Sequence, residues 1–381
     1  METCDSPGGA RSETQGGADL NIIDAAELVD GGLESLADFR EHEQVLHCRH
    51  EASGLSAFIG VHSTELGPSL GGCRMWPYDS EIEALTDVLR LSMAMSFKHA
   101  VADNPRGGGK AVIIGDPKTD KSPELLRAFG RFVDSLGGAY ITAEDVGTAV
   151  EDMHIIREAT PHIAGLPVED GGSGDPSPVT AYGVFCAIQA AVSHTRGNPY
   201  NPRAPLADIT VALQGLGHVG WCLAGHLHEA RAKLIVSDID DAKAARACEE
   251  FGATSVGIGE VFDVEADVFA PCALGGVLNK DTVARLRTPI IAGGANNQLA
   301  DEEMARMLQV QGILYAPDYV ANAGGIINIS YEGPDYSLDK ALRHAERIGK
   351  TLIEIFHVAE REGMTTAAVA DRMAMERLGA G

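Results

Sequence analysis

Lys98 and Lys110 stand in the two settings that most invite chemistry. Lys98 comes near the end of SEIEALTDVLRLSMAMSFKHA, where Leu91, Met95 and Lys98 share one helical face. Lys110 ends the run Asn104-Pro105-Arg106-Gly107-Gly108-Gly109-Lys110 and opens the apolar strand AVIIG. Most lysines are solvated surface charges. Two ammonium groups held against apolar stretches depress each other's pKa, which suits one for binding a carboxylate and the other for proton chemistry near neutral pH. The Gly-Lys junction is not a phosphate-binding P-loop: Asn104 replaces its first glycine and Ala111 its Ser/Thr. Ala143-Glu144-Asp145 ends the strand AYIT, and a carboxylate at a strand end is a candidate acid/base. The competing reading makes it the cap of a helix beginning near Thr148.

Gly215-Leu216-Gly217-His218-Val219-Gly220 follows the apolar strand ITVALQ and precedes an amphipathic helix. Glycines so spaced allow a tight turn, close approach to a pyrophosphate and close helix–strand packing, at a helix end that offers N–H groups. The next strand, KLIVSDID, presents Asp238, 18 residues past Gly220, where an acid would bond ribose hydroxyls and repel a 2′-phosphate. NAD is therefore expected over NADP. A ligand-free β–α turn and an S-adenosylmethionine site are the alternatives for such glycines. His42, His47, Cys48 and His50 do not read as a metal site, because the first two histidines would point about 140° apart on a helix. Asn296-Asn297 and Asn322, before Gly324-Gly325, are turn residues or amide contacts to a ligand.

The elements that must carry these residues are those of an α/β protein. The chain has 381 residues, 55 acidic against 30 Lys+Arg and a net charge of −25, with 45% hydrophobic residues. That is too apolar for wholesale disorder and too acidic for nucleic-acid binding. Seven scattered cysteines without Cys-x-x-Cys point to reduced thiols, and no apolar run is long enough to span a membrane. Cytoplasmic localisation follows as an expectation. Residues 1–18 read as a flexible extension. A hairpin is expected over about 43–63, turning at Ala52-Ser53-Gly54. A helix over about 81–98 opens on the capping box Ser80/Glu83 and carries the stripe Ile82, Leu85, Leu89, Met93, Phe97. Helices ELLRAFGRFVDSLG and VEDMHIIREA flank the strand AYITAEDVG. The Gly/Pro-rich segment 165–178 is the linker candidate, after which Ser177 and Pro178 cap and open a helix. Strand–loop–helix–strand alternation follows, the mark of a parallel sheet, and 340–381 reads as helical.

In combination these motifs resemble the Glu/Leu/Phe/Val amino-acid dehydrogenase family, nearest its leucine, valine and phenylalanine branch. LGPSLGGCRMWPY, RLSMAMSFKHA, NPRGGGKAVIIGDP, TAEDVGT, GGSGDPSPVTAYGV, GLGHVG, APCALGGVLN, GGANNQL and APDYVANAGGIIN stand in family order from about 65 to 330. The resemblance implies two α/β domains with the site in the cleft between them. Residues 19–165 would bind substrate and oligomerise, 166–354 would form a Rossmann NAD-binding domain, and a helix over about 355–381 would pack back on the first. It further implies reversible oxidative deamination of an L-amino acid to the 2-oxo acid, NADH and ammonia by a homo-oligomer, from dimer to octamer. Lys98 then matches the carboxylate-binding lysine, Lys110 the lysine that polarises water and carbonyl, and Asp145 the general acid/base. Asn297 matches a substrate-side amide near the nicotinamide and Thr180 a contact to its carboxamide. Gly72, Leu70, Met95, Ala143, Ile326 and Ile329 match the substrate pocket, and His218, Val219, Ala273 and Asn322 join the glycines at the cofactor. An uncharged pocket disfavours glutamate. Isoleucines at 326 and 329, where valines are usual, favour branched aliphatic substrates over aromatic ones. Cys73, Arg106 and Asp175 depart from the usual Thr, apolar residue and Asn. An aromatic amino-acid dehydrogenase and a non-catalytic NAD-binding sensor or scaffold are the alternatives.

Overall fold

The computed structural model describes residues 20–379, so the expected extension over 1–18 and the last two residues of the expected terminal helix lie outside them. The first sheet combines β1 (Asn21–Asp24), β2 (Gln44–His50), β3 (Leu55–Ser63), β4 (Ser69–Trp76), β5 (Gly107–Ile114) and β6 (Tyr140–Glu144) in the order β1-β2-β3-β5-β4-β6. β2 and β3 form the expected hairpin, with Gly54 taking φ 73° at its turn. β5 runs antiparallel to β3 and parallel to β4, which is parallel to β6.

Period-two alternation gives this sheet two different faces. One face buries Ile59, Met75, Ala111, Ile113 and Tyr140 under Phe129 and Phe132 of α2 (Pro123–Asp134) and Met153 of α3 (Val150–Arg157). The other presents Phe58 and Val112 to Leu85, Val88 and Leu89 of α1 (Glu81–Val101). Ser80 caps α1 by accepting from the Glu83 N–H at 3.2 Å. Glu83 returns to the N–H of Asp79 at 2.8 Å, one residue before the one a capping box requires.

Two expectations change here. The buried stripe of α1 runs through Leu85, Leu89, Ser92, Ser96 and His99, while Ile82 is 43% exposed. The glycines of 107–109 are strand, not loop, so Lys110 lies inside β5 rather than at its start. Both have one cause, a very close approach of α1 to the sheet. A Cβ on Gly108 would come within 2.0 Å of the Ser96 backbone, and one on Gly60 within 3.1 Å of Ser92 Oγ. Small residues are needed on both sides of the contact.

Past the linker, α4 (Ser177–Thr195) leads into the second sheet. Ser177 is its first residue and caps nothing; the preceding turn is held by Asp175, whose Oδ1 accepts from the Ser177 N–H at 2.9 Å. The sheet is all parallel and consists of β7 (Thr210–Gln214), β8 (Lys233–Ser237), β9 (Thr254–Ser255), β10 (Val268–Pro271), β11 (Ile290–Ile291) and β12 (Leu314–Tyr315), ordered β12-β11-β10-β7-β8-β9. Between β7 and β10 the order reverses, the point at which doubly wound sheets bind ligands. α5 (His218–Glu229) follows β7, and α6 (Asp241–Phe251) follows β8. Further on come α7 (Lys280–Val283), α8 (Glu302–Val310), α9 (Asp318–Ala321), α10 (Gly324–Ser330) and α11 (Leu338–Ala345). The single terminal helix expected over about 355–381 is two: α12 (Arg347–Glu362) stops where Gly363 takes φ 67°, and α13 (Thr366–Arg377) starts afresh under a Thr365 cap. α13 lies against the end of α1, where Arg377 donates to the carbonyls of Ala100 and Val101 at 3.0 Å each.

Candidate active site

Leu70, Gly72 and Arg74 of β4 share a sheet face with Gly108 and Lys110 of β5 and with Ile141, Ala143 and, just past the strand, Asp145 of β6. This is the face that α1 covers. Lys110 is 6% exposed, and its Nζ lies 2.7 Å from Asp145 Oδ2. Gly72 makes room for that carboxylate, since a Cβ there would stand 2.8 Å from the Cβ of Asp145. The loop after β6 is pinned to β4: Met75 N–H donates to the Val146 carbonyl at 2.9 Å, and Thr148 Oγ1 donates to the Cys73 carbonyl at 2.8 Å. Thr148 Oγ1 also accepts from the Asp145 N–H at 3.0 Å. Asp145 caps no helix, because α3 is capped at Ala149, whose N–H donates to Asp152. Burial opposes its ionisation, yet Lys110 and Arg74 together hold its carboxyl below the usual carboxylate range.

Lys98 is half-buried on the α1 face that borders this pair. Burial and the Lys110 ammonium pull its pKa down to about 8, against the opposing pull of the Asp318 and Asp145 carboxylates. Leu70 and Ala143 pack with Ala164, Ile141 and Ile329 in one small apolar cluster. Met95 and Ile326 belong to the larger core of the second half instead, with Asn104 Nδ2 donating to the Ile326 carbonyl at 3.1 Å.

Three glycines divide three tasks at the second sheet. Gly215 turns with φ 94° and approaches so close to the β10 loop that a Cβ would lie 3.0 Å from the Ala273 N. Gly220 packs α5 onto β7, where a Cβ would meet the Gly215 carbonyl at 2.0 Å. Around Gly217 a Cβ would meet nothing within 4 Å. That open space in front of the α5 N-terminus, where His218 and Val219 begin the helix, is what an approaching pyrophosphate requires. Asp238, half-buried after β8, accepts from the Leu216 N–H at 2.5 Å and the Asp240 N–H at 2.9 Å. Asn322 is 3% exposed; its Nδ2 donates to Asn296 at 2.8 Å while its Oδ1 finds no partner among the described residues. Thr180 donates to the Pro176 carbonyl at 2.9 Å. Asn297 is exposed with φ 50° at the tip of the same loop as Asn296. A nicotinamide dinucleotide fits this set of residues.

Sequence reasoning passed over several neighbours. Arg74 follows Gly72 by two on the same strand face, so alternation alone would have found it. Buried Gln298 braces the Asn296-Asn297 loop by donating to the Gly293 and Ala295 carbonyls at 3.0 and 2.9 Å. Asp318 accepts from the N–H groups of Gln298 and Tyr319 at 2.7 and 2.6 Å. Ile239 and Leu274 are 86% and 79% exposed beside the glycine loop. No local pattern marks the last four. Among the described residues no group of three His, Cys, Asp or Glu could hold a metal ion, and no helix is long and apolar enough to cross a membrane. The histidines near β2 are spent elsewhere: His42 bonds Leu89 and Ser92, and His47 bonds Ser56.

Comparison with known proteins points the same way. The family described as Glu/Leu/Phe/Val dehydrogenase, dimerisation domain, matches residues 42–162, and Glutamate/Leucine/Phenylalanine/Valine dehydrogenase matches 243–375. A leucine dehydrogenase of Thermoactinomyces intermedius is 49% identical over 338 residues, covering 89% of this chain and 91% of that enzyme. A phenylalanine dehydrogenase of Bacillus thermotolerans is 47% identical over 344 residues, 89% and 88% of the two chains. The crystal structure of L-tryptophan dehydrogenase from Nostoc punctiforme superposes with a TM-score of 0.80 at 44% identity, covering 89% of this chain and 96% of that one.

Proposed function

Because the chain belongs to the Glu/Leu/Phe/Val dehydrogenase family, we propose that it deaminates a branched-chain aliphatic L-amino acid, leucine or valine, to the 2-oxo acid and ammonia, reversibly and with NAD as the acceptor. The observation that carries the substrate class is the uncharged cluster of Leu70, Ile141, Ala143, Ala164 and Ile329 on the sheet face that also bears Lys110 and Asp145. A glutamate side chain there would bury its second carboxylate unpaired, at several kcal/mol.

Lys98 binds the substrate carboxylate, and an anion at that position restores the charge that burial weakens. Asp145 takes protons from and returns them to the amino nitrogen. Lys110 activates the water that attacks the imine carbon and then steadies the oxygen that becomes the ketone. Bound nicotinamide supplies the hydride acceptor. Gly217 leaves room for the pyrophosphate, Asn322 Oδ1 offers a buried acceptor to an amide N–H, and Thr180 lines the same side. Asp238 favours NAD over NADP because its carboxylate would meet a 2′-phosphate charge to charge. Ile239 and Leu274 are apolar surface suited to an adenine. A cytoplasmic setting accords with the six free cysteines among the described residues, and assembly as a homo-oligomer accords with the match of residues 42–162 to a domain described as a dimerisation domain.

The aromatic reading keeps specific support in the likeness to the Nostoc tryptophan dehydrogenase and to the Bacillus phenylalanine dehydrogenase. Initial NADH formation at alkaline pH across leucine, valine, phenylalanine, tryptophan and glutamate separates the readings. Leucine or valine should lead. Turnover of aromatics alone would keep the chemistry and overturn the pocket assignment. NAD binding without turnover on any of them would leave a sensor.

A further inference from the structure

Asp145 has two cationic partners, and only one of them belongs to the deamination chemistry described above. Lys110 Nζ and Arg74 Nε both address the same oxygen, Oδ2, at 2.7 and 3.2 Å. Arg74 in turn is anchored away from the reacting groups: its Nη1 donates to Asp87 Oδ2 at 2.9 Å. Asp87, 8% exposed, is held from two more sides, by the Tyr78 hydroxyl on Oδ2 at 2.6 Å and by Arg90 on Oδ1 at 2.8 Å. The chain of contacts runs from α1 through Arg74 to the carboxylate, and every member has at least two polar partners or a fixed backbone.

Resting on the dehydrogenase reading, we propose that Arg74 is a positioning residue for the reaction, a permanent cation that fixes Asp145 and preserves its charge while Lys110 gives up and regains a proton. The need is physical. To take the proton of the attacking water Lys110 must be neutral beforehand, and in that state a half-buried Asp145 facing only a neutral amine would take up a proton and lose its function as base. A guanidinium does not deprotonate in proteins, and its planar fork spans two carboxylates as an ammonium cannot. Arg74 therefore keeps a charge on Oδ2 whatever the state of Lys110. The other groups around Asp145 are Lys98 from α1, Glu144 on its own strand, and the buried, neutral Cys73 and Tyr140. None of these is a second fixed cation.

The test is the pH profile of kcat/KM for the preferred amino acid in Arg74→Gln, Arg74→Lys and Asp87→Asn, with NADH binding and thermal unfolding measured alongside. Removing a cation beside the Lys110–Asp145 pair favours its protonated form, so the acid limb of the profile moves to higher pH in Arg74→Gln, by about one unit. Its kcat falls about tenfold to a hundredfold, while NADH binding, which belongs to the second sheet, is unchanged. Arg74→Lys restores the limb but not the full kcat, and Asp87→Asn shifts the limb in the same direction by less. An unmoved limb in a folded Arg74→Gln, whether or not its melting temperature drops, overturns the proposal. If Arg74→Gln does not fold, an unmoved limb in Asp87→Asn does the same. Absence of turnover in the unaltered enzyme would instead sink the dehydrogenase reading itself.

Discussion

Lys98 and Lys110 are neighbouring lysines, yet their surroundings separate them. Lys110 is closed into an ion pair with Asp145, whereas Lys98 has no such contact among the described residues and is pulled to about 8 by burial and by the neighbouring ammonium. If Lys98 holds the substrate carboxylate, the ligand binds its protonated form, so the sign is fixed: affinity for the amino acid would be full below about pH 8 and would decline as pH rises through it. KM for the amino acid should therefore climb above pH 8 while KM for NAD stays flat, in steady-state kinetics from pH 7 to 10. Lys98→Met should raise the amino-acid KM by about tenfold to a hundredfold and abolish its pH dependence. A flat profile in the unaltered enzyme would remove Lys98 from the carboxylate. Lys110→Ala should cost about 100- to 10,000-fold in kcat and leave NADH fluorescence titrations unaltered, since its strand belongs to the other sheet.

The glycine loop after β7 offers a sharper experiment, because its glycines do different things. Gly217→Ala adds a methyl group where nothing stands within 4 Å, so folding should be unaffected within about 0.5 kcal/mol. If the space belongs to a pyrophosphate, KM for NAD rises at least tenfold. Gly220→Ala drives a methyl group to 2.0 Å from the Gly215 carbonyl and must push α5 off β7, so melting temperature and NAD affinity fall together. Equal KM values for Gly217→Ala and the unaltered enzyme would contradict a cofactor at this turn. These elements were legible in the sequence because each obeys a local rule: the Ser80 cap, the period-two strands, the glycines between a strand and a helix. The misreadings fall where a contact between elements overrode the local rule. Glycine is normally depleted in strands, so 107–109 reads locally as a loop, whereas the close approach of α1 demands glycine in the strand there. Ser92 and Ser96 broke the apolar stripe for the same reason, and Asp175, not Ser177, bonds the first N–H of α4. Asp318, Gln298 and Glu332 gave no signal, since each acts through partners far away in sequence.

Glu332 shows how the two halves are tied. It follows α10, and its Oε1 alone accepts three hydrogen bonds from the linker: Gly165 N–H at 2.9 Å, Ser173 N–H at 3.1 Å and Ser173 Oγ at 2.8 Å. Asn328 donates to the Ser173 carbonyl at 3.3 Å, and buried His344 reaches the Ala102 carbonyl at the end of α1 at 2.8 Å. Closure of a cleft between two sheets requires that such a crossing bend at few places and hold firmly elsewhere. Glu332 is one of the firm points. Glu332→Ala strands two backbone N–H groups, and unfolding by heat or denaturant should show a loss of about 2–4 kcal/mol. Glu332→Gln keeps an oxygen for all three donors and should stay within about 1 kcal/mol. The pair also separates a brace from a hinge. If Glu332 only braces the linker, Glu332→Ala assayed well below its melting temperature keeps its kcat and loses stability alone. If the linker's shape governs closure, kcat and both KM values change together while Glu332→Gln remains normal. The second outcome is the expected one, because the bonds of Glu332 fall on residues 165 and 173, within the 165–178 segment that joins the sheet carrying Lys110 to the helix carrying Thr180.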